Sequence, residues 1–313
     1  MLRSNPSSVN PASPSEPTLA TGDLPIKEHI LMVNDIYRGE KYLEAMKAKI
    51  RPGDIVLEVG TGAGLLSCLA AQLGAKKVYT VEQSPILYRV ASKVVADNGL
   101  ADKITLINAH SRDLPSLGII KEPIDVFVTE TIGTQGLDEG IINVFADVKP
   151  LLSPTARVIP ENVQFKHCLV NMTGVREQVE MMSPILGIDL RALNDELQSN
   201  NYFWMNPIEM WREISTTAAT PIFDLLNFEP RECVQSMQIT RENICDGMLN
   251  WAEFTLSERN TIETRYRHFG SNWANSIYFM GRCSVTREHT CTSTLRVTDD
   301  WQGWVLNWTI NTG

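Results

Sequence analysis

The alternation of apolar runs and amphipathic segments between Asp54 and Glu130 constrains the fold more than any other feature of the sequence. Strands buried in a parallel sheet are typically short and mostly apolar, as are the runs DIVLEV, KVYTVE, KITLIN and IDVFVTE. Helical patterns separate the first three runs. Within AGLLSCLAAQLGA the predicted helix is ended by Gly74, and SPILYRVASKVVADNGL begins with the cap signal Ser84–Pro85. Strand and helix therefore alternate as βαβ units, which predicts an α/β domain.

The pattern changes after about Ile159. Segments such as ENVQFKHCLVNMT, GMLNWAEFTLSE and NSIYFMGRCSV alternate apolar and polar residues with turn signals between them, which predicts an antiparallel sheet or barrel. The segment 176–215 interrupts this region with helical pieces and large apolar side chains. It is either a helical insertion packed on its own domain or an arm that contacts a second subunit.

The N-terminal region has a different composition from the rest of the chain. Residues 1–24 are rich in Pro, Ser, Thr and Asn, so they bury too little apolar surface to offset the entropy of ordering. Helical spacing of apolar residues follows, up to about Lys49. The predicted division of the chain is a disordered tail at 1–24, an α/β domain with N-terminal helices at 25–159 and a β-rich domain at 160–313.

Charge and composition exclude several classes of function. The net charge of −9 disfavours binding to nucleic acid and suits a cationic ligand. Apolar stretches are too short to span a bilayer, and the N-terminus has no apolar core of a signal peptide. The six cysteines lie far apart without a C-x-x-C pair, which predicts reduced thiols and no metal site. We therefore expect a cytoplasmic protein that binds neither nucleic acid nor membrane.

A glycine-rich turn follows the first predicted strand and precedes a helix. Its glycines, Gly60, Gly62 and Gly64, allow backbone N–H groups to approach a ligand at the positive end of the helix dipole. Glu82 ends the next strand, where a carboxylate can accept hydrogen bonds from both ribose hydroxyls. The G-x-G-x-G spacing differs from the pattern that cradles a pyrophosphate, and this favours a nucleoside without a diphosphate, such as S-adenosylmethionine. The alternative is a turn that serves only close packing.

Two acids flank the loop after the fourth predicted strand. Glu130 lies at the carboxyl end of that strand, near the point where open α/β sheets bind ligands, and Glu139 follows nine residues later. Two carboxylates at this place fit a guanidinium, whose five N–H donors match carboxylates in bidentate fashion. The alternative for Glu139 is an exposed acid at a helix N-terminus. His29, on the N-terminal helix, either contacts the nucleoside or lies on the surface.

Several motifs together resemble the protein arginine methyltransferase family. They are VLEVGTGAGLLS, the VE that ends the second strand, ITLINAHSRDL, VTETIGTQGLDEG, and upstream MVNDIYRGEKYLEAM. The resemblance implies a Rossmann-like class I S-adenosylmethionine methyltransferase domain, followed by a β-barrel-like domain with a helical dimerisation arm. It implies that the N-terminal helix is a cofactor lid, with Met32 near the sulfonium and Arg38 on the cofactor carboxylate. Ser111 and Asp113 would hold the adenine, unless they belong to a simple strand-exit loop.

The resemblance is weaker in the second half of the chain. There SNWANSIYFM matches the family's Thr-His-Trp loop only at Trp273, because Ser271 and Asn272 replace the Thr and His. Trp273 would wall the acceptor pocket or belong to the core, and Asn272 offers an amide in place of a histidine to bond one carboxylate.

The resemblance also implies a reaction and a homodimer. We expect methyl transfer to the guanidino nitrogen of arginine, giving Nω-monomethyl-L-arginine, because the motifs are closest to the monomethylating branch. The minimal length resembles that of bacterial stand-alone members that methylate free L-arginine for natural-product assembly. An arginine-containing peptide is the alternative acceptor, and a non-catalytic scaffold that retains the cofactor fold is the alternative function.

Overall fold

The computed structural model describes residues 26–180, 184–194, 201–204, 211–265, 273–301 and 303–311. Its first part contains the strands β1 (Ile55–Val59), β2 (Lys77–Val81), β3 (Ile104–Ile107), β4 (Ile124–Thr129) and β5 (Leu152–Ile159). They form a five-stranded sheet in the order β3-β2-β1-β4-β5, with every neighbouring pair parallel. β1 is buried along its whole length, as the continuous apolar run predicts.

Helices connect these strands and precede them. They are α1 (Ile26–Asn34), α2 (Ile36–Lys49), α3 (Leu65–Gln72), α4 (Pro85–Asp97), α5 (Leu114–Leu117), α6 (Ile141–Val148) and, after β5, α7 (Thr173–Val179). The predicted cap of α4 is present, because the Ser84 hydroxyl accepts a hydrogen bond from the Leu87 N–H. The N-terminal helical pattern is divided into α1 and α2 at Asp35, whose carboxylate accepts from the Arg38 N–H and caps α2.

Antiparallel strands form the second part of the molecule. An eight-stranded sheet has the order β10-β6-β12-β14-β7, with β13 paired to β12 and with β8 and β9 paired to β6; a three-stranded sheet has the order β11-β15-β16. The strands are β6 (Asn162–Asn171), β7 (Asn201–Trp204), β8 (Arg212–Glu213), β9 (Ala218–Ala219), β10 (Phe223–Asp224), β11 (Cys233–Gln238), β12 (Asn243–Ser257), β13 (Asn260–Glu263), β14 (Asn275–Val285), β15 (Thr290–Val297) and β16 (Trp304–Asn311).

The parallel sheet and the antiparallel sheets share one apolar core. A continuous cluster of buried side chains runs from Leu57 and Phe127 in the parallel sheet to Phe254 and Leu295 in the antiparallel sheets. Contiguous apolar burial of this size stabilises the relative position of the two parts. The predicted fold class, a Rossmann-like sheet followed by a β-rich domain, is confirmed.

The segment 176–215 differs in part from the helical pieces that the sequence predicts. Helix α7 ends at Val179, but the backbone of residues 201–204 is extended and pairs with Asn275–Tyr278 of β14. The sequence pattern of this segment is dominated by aromatic residues and does not decide between helix and strand. Pairing at the edge of the sheet satisfies the backbone hydrogen-bonding groups and decides for a strand. Residues 181–183, 195–200 and 205–210 of this segment, and the predicted tail at 1–24, lie outside the described residues.

Candidate active site

The glycine-rich turn connects β1 to α3 through three left-handed backbone positions. Gly60, Gly62 and Gly64 have φ values of +83°, +53° and +89°, which residues other than glycine adopt only at a cost in free energy. A Cβ atom at Gly60 would lie 2.9 Å from Cγ2 of Thr131. The turn therefore requires glycine both for its backbone and for its close approach to the loop after β4.

Glu82 closes the same turn from the end of β2. Its carboxylate accepts one hydrogen bond from the Gly62 N–H (2.9 Å) and another from the Ser84 N–H (2.8 Å). These bonds hold the acid at the carboxyl end of the sheet, beside the N-terminus of α3. An acid in this position can accept hydrogen bonds from a ribose.

The loop from Glu130 to Glu139 folds around the carboxylate of Asp138. The Gln135 N–H donates to Asp138 Oδ1 (2.9 Å), and a Cβ at Gly133 would lie 2.3 Å from Asp138. At Gly136, φ is +89° and a Cβ would lie 2.6 Å from Cβ of Ala252 on β12. The loop thus depends on two glycines that leave no room for a side chain.

Two tryptophans of the second part hold this loop in place. The Trp273 indole N–H donates to the carbonyl of Ile132 (2.8 Å), and the Trp304 indole N–H donates to the carbonyl of Gln135 (3.1 Å). Both tryptophans are buried, so these bonds are shielded from competing water. The acidic loop of the first part is therefore positioned by the antiparallel sheets of the second.

The guanidinium of Arg38 lies against Glu130. Its Nη1 donates to Glu130 Oε1 at 3.0 Å, its Nη2 donates to the carbonyl of Met32, and its Cζ lies 5.4 Å from the centre of the Trp273 ring. The Arg38 and Glu130 side chains retain only 7% and 18% of their exposure. An ion pair this enclosed is screened weakly by solvent.

Burial raises the pKa of both acids of the loop. Desolvation raises the pKa of Glu130 to about 7, although the Arg38 charge opposes the shift. Glu139 is exposed and directly precedes Gly140, the N-cap of α6, as the alternative reading of the sequence expects, but it also lines the cleft. Desolvation there, with the charges of Glu130 and Asp138, raises the pKa of Glu139 to about 8. Carboxyls with such shifts in a cleft are typical of functional sites.

One cleft brings most of the predicted residues together. Eight of them line it: His29, Met32, Arg38, Gly60, Gly62, Glu82, Glu130 and Glu139. Gly64 is the N-cap of α3 and does not line the cleft. The Trp273 ring lies against the Arg38 guanidinium. Asn272 belongs to residues 266–272, which lie outside the described part of the chain.

Ser111 and Asp113 do not line this cleft in the structure. They form a short 3₁₀ helix after β3, where the Ser111 hydroxyl donates to Asp147 of α6 at 2.6 Å. Asp113 is exposed. In this position they match the alternative that the sequence left open, a simple strand-exit loop. Contact of these two residues with adenine stays a prediction.

The cleft also contains polar residues that sequence reasoning did not select. Glu58, buried in β1, accepts hydrogen bonds from the hydroxyls of Ser67 and Thr80, and desolvation raises its pKa to about 7. Tyr42 of α2 donates to the carbonyl of Thr129 at 3.0 Å. Glu58 lies two residues before Gly60, and an acid inside an otherwise apolar strand was a signal for it.

The cleft suits a nucleoside with a charged tail. Apolar side chains of Met32, Leu66 and Leu87 line it together with the carboxylate of Glu82 and the guanidinium of Arg38. Nothing lies nearer than 4.0 Å to a Cβ placed at Gly62, so this part of the turn is open to a ligand. Within the described residues, no group of three or more acids, histidines or cysteines is arranged to hold a metal ion, and no helix is long and apolar enough to cross a membrane.

Comparisons of sequence find methyltransferases. A family model described as ribosomal protein L11 methyltransferase (PrmA) matches residues 40–160. An arginine N(omega)-methyltransferase of Streptomyces achromogenes subsp. streptozoticus is 26% identical over 250 residues, which cover 78% of this chain and 68% of that protein. Protein arginine N-methyltransferase 7 of Rattus norvegicus is 28% identical over 247 residues, which cover 74% of this chain and 36% of that protein. The chain thus spans about two thirds of the first relative and about a third of the second.

Comparison of structures agrees with the sequence relatives. The Trypanosoma brucei PRMT1 enzyme-prozyme heterotetrameric complex with AdoHcy contains a chain with a TM-score of 0.79 and 18% identity, over 90% of this chain and 92% of that one. Arabidopsis thaliana protein arginine methyltransferase 10 has a TM-score of 0.72, also at 18% identity, over 90% and 92% of the two chains. At this identity the likeness concerns the fold.

Proposed function

We propose, from the premise that the chain belongs to the protein arginine methyltransferase family, that it methylates the guanidino group of arginine. The methyl donor is S-adenosylmethionine, and free L-arginine is the favoured acceptor. The product is Nω-monomethyl-L-arginine. The cleft supplies an acid for the ribose, Glu82, a cation for the cofactor carboxylate, Arg38, and two acids for the acceptor, Glu130 and Glu139.

The observation that carries the proposal is the setting of the Arg38 guanidinium. It lies within hydrogen-bond distance of Glu130 and against the Trp273 ring. This contact supports the proposal, because a guanidinium of the chain itself already lies against both the acid and the aromatic ring. Glu139 lines the same cleft and supplies the second carboxylate that a fork-shaped cation requires.

The cofactor supplies a methyl group activated by a sulfonium. In the proposed complex, Glu82 binds the ribose hydroxyls, and the turn with Gly60 and Gly62, which carries no side chains at these two positions, lets the amino-acid part of the cofactor approach the backbone closely. Arg38 exchanges its contact with Glu130 for the cofactor carboxylate, which leaves Glu130 to the acceptor, and His29 contacts the nucleoside. Met32 lies beside the sulfonium, Gly64 begins the helix behind the turn, and Ser111 and Asp113 hold the adenine if their loop moves toward the cleft.

Glu130 and Glu139 act on the acceptor. A free guanidinium is a poor nucleophile because its lone pairs are delocalised and its pKa exceeds ~12. The two carboxylates draw positive charge onto the nitrogens they contact, which leaves the attacking nitrogen richer in electrons, and they orient it. As the new N–C bond forms, the bond between the methyl group and the sulfonium would break, S-adenosylhomocysteine would leave as a neutral thioether, and the methylated nitrogen would lose a proton to a carboxylate or to water.

The proposed pocket admits one methyl group. Met32 and Trp273 wall it, with Asn272 as an amide partner for one carboxylate. A second transfer requires room for a methylated nitrogen while both acids keep their hydrogen bonds, and an extra methyl against packed atoms costs about 1–3 kcal/mol. Mass spectrometry after long incubation with excess cofactor tests this, because a dimethylated species rising at the expense of the monomethylated one contradicts it.

A panel of acceptors tests the reaction itself. Purified protein is incubated with radiolabelled S-adenosylmethionine and either free L-arginine, an Arg-Gly-rich peptide, a guanidino compound without an amino-acid part, or L-lysine. We expect label in free arginine and none in lysine. Label in the peptide alone would reverse the preferred acceptor while leaving arginine methylation intact.

Absence of label in every acceptor would favour a scaffold that keeps the cofactor fold. Calorimetry with S-adenosylhomocysteine separates the cases, since a methyltransferase binds this product and a scaffold without a working cofactor site gives no heat.

A further inference from the structure

Three cysteines lie close together in the antiparallel part of the molecule: Cys245 on β12, Cys283 on β14 and Cys291 on β15. Cys245 and Cys283 are directly opposite each other in the β12–β14 pairing, next to a β-bulge between Cys245 and Gly247. Opposed residues of antiparallel strands have Cα atoms about 4.5 or 5.5 Å apart. Both values fall within the range of about 4.4–6.8 Å that disulfides span.

The side chains of this pair also face each other. The Cys283 thiol donates to the carbonyl of Cys245, with Sγ and O 3.7 Å apart, and each of the two thiols perturbs the pKa of the other. Cys245 is fully buried, whereas Cys283 is only half-buried. One sulfur of the pair is therefore accessible to a small reagent, and the other is held behind it.

We propose that Cys245 and Cys283 are a modification site at which hydroperoxides produce a reversible cross-strand disulfide. This site is separate from the cofactor cleft and does not depend on the proposed methyl transfer. The chain has two thiols in register on neighbouring strands, so neither strand has to be displaced for the bond to form.

The reactivity of the two thiols differs in the direction that this chemistry requires. The hydrogen bond from Cys245 lowers the pKa of Cys283 to about 7, against the opposing effects of burial and the Asp246 charge. The same contact and burial raise the pKa of Cys245. Because the thiolate is the nucleophile, Cys283 is the attacking residue and Cys245 the resolving one.

The reaction balances without a further component. The Cys283 thiolate attacks the terminal peroxide oxygen, the O–O bond breaks, and the alkoxide or hydroxide that leaves takes up a proton; Cys283 becomes a sulfenic acid. The Cys245 sulfur then attacks the Cys283 sulfur, the S–O bond breaks, and the thiol proton leaves with the oxygen as water. Two thiols are oxidised to one disulfide while the peroxide is reduced to an alcohol or water.

The other cysteines lack this combination. Cys291 is buried, its pKa is raised to about 12 by burial, and its register partners are Met237 and Ile310. Burial also raises the pKa values of Cys68, Cys168 and Cys233. The Cys283 charge contributes to the raised pKa of Cys291, so Cys291 is close enough to be the competitor that an experiment has to exclude.

Peptide mapping of the full-length protein tests the site. The protein is treated with hydrogen peroxide, quenched with acid, alkylated under denaturing conditions and digested without reduction. We expect a disulfide between the peptides that contain Cys245 and Cys283, and its loss after dithiothreitol. A Cys283–Cys291 bond, or both residues of the pair alkylated after peroxide treatment that oxidises the methionines, would overturn the proposal.

Variants check the order of the steps. In Cys245→Ser, Cys283 should be captured as a sulfenic acid by dimedone, whereas Cys283→Ser should leave Cys245 reduced. Cys168→Ser is the control with another buried thiol and should leave the disulfide unchanged. Dimedone capture at Cys245 in place of Cys283 would contradict the assigned roles, and the wild-type mapping stands even if a variant folds poorly.

Discussion

At the scale of single residues, Glu130 and Glu139 are distinguished from the other acids of the chain by their setting. Both line the cleft beside the Arg38 guanidinium. Replacing either with Gln keeps the shape but removes the negative charge that attracts and polarises a guanidinium. We expect Glu130→Gln and Glu139→Gln each to lose at least about a hundredfold in methyl transfer, a typical scale for an electrostatic catalytic group.

Binding of S-adenosylhomocysteine provides the contrasting measurement for these variants. It should stay within a few-fold of wild type by calorimetry, because the acids act on the acceptor. Glu258→Gln is the matched control, since the Glu258 side chain is 92% exposed in the turn after β12. Retained activity in both cleft variants would exclude the two-carboxylate clamp.

The raised pKa values of the same two acids predict a pH dependence. Only the ionised carboxyls attract a cation, and their pKa values are about 7 and about 8. Since two ionisations are required, kcat/KM for arginine should rise with pH, more steeply below about 7 than between about 7 and 8, and then level off. A profile that is flat from below 7 to above 8 would show that these ionisations do not control the reaction.

The free energy of unfolding should change with pH in the direction opposite to that of kcat/KM. Carboxyls whose folded-state pKa is raised above the ordinary 4.5 bind protons more tightly in the folded than in the unfolded chain. The free energy of unfolding therefore falls as the pH rises from about 4.5 to about 8. Thermal melts of wild type and of the Glu130→Gln/Glu139→Gln double variant should show a smaller fall in the double variant.

Cofactor affinity depends on a different set of residues. Gly60→Val places side-chain atoms where a Cβ alone is 2.9 Å from Thr131, and Glu82→Ala removes the acceptor proposed for the ribose. Each should weaken S-adenosylhomocysteine binding by about ten- to a hundredfold, which corresponds to ~1–3 kcal/mol. Calorimetry measures this directly, and an unchanged dissociation constant in both would contradict the assigned nucleoside site.

At the scale of elements, the loop from 130 to 139 depends on its contact with β12. Gly136 has a φ of +89°, and a Cβ there would lie 2.6 Å from Ala252. Gly136→Ala therefore combines a strained backbone with a steric clash in a loop that carries the acids. We expect it to reduce activity strongly and to cost about 2–4 kcal/mol of stability.

Gly99 offers the matched control for that substitution. Its φ is +67°, but a Cβ there would meet nothing within 4 Å, and it lies at the end of α4 outside the cleft. Gly99→Ala should cost only the left-handed backbone, about 1–2 kcal/mol, with activity retained. Equal losses of activity in the two variants would show that the clash with β12 does not position the acids.

At the scale of the whole molecule, apolar surface near the cofactor domain predicts a homodimer. Ile86 and Val90 of α4 are 44% and 38% exposed, and Leu65 of α3 is 39% exposed. We propose that the 176–215 segment of a second subunit docks on this surface and covers apolar residues such as Ile185 and Leu186. Tyr202, Phe203 and Trp204 belong to the same proposed arm.

Light scattering checks the dimer. At micromolar concentration we expect twice the monomer mass for wild type and the monomer mass for Ile86→Asp/Val90→Asp. Leu117→Asp, at another exposed apolar position, should remain dimeric. A wild type that is monomeric throughout this range would contradict the proposed interface.

The extended backbone at 201–204 shows where a sequence pattern was insufficient. Its aromatic residues fit either a helix face or a strand, and periodicity cannot separate these possibilities over so short a run. Pairing with β14, more than 70 residues later in the chain, decided between them. The same limit applies to Ser111 and Asp113. The motif located their loop, but the spacing of residues in the sequence does not tell how far that loop lies from the cleft.

The sequence by itself determined the local parts of the site. The turn with Gly60 and Gly62 lies within one βαβ unit, and Glu82 directly follows its second strand, so short-range geometry is enough to bring them together. Only the tertiary structure decided what surrounds the acidic loop. The partners there are Arg38, 92 residues from Glu130, and Trp273 and Trp304, which are 141 and 169 residues from the carbonyls they bond. Such contacts require the packing of two sheets around a common core, and neither the period nor the spacing of a single segment encodes it.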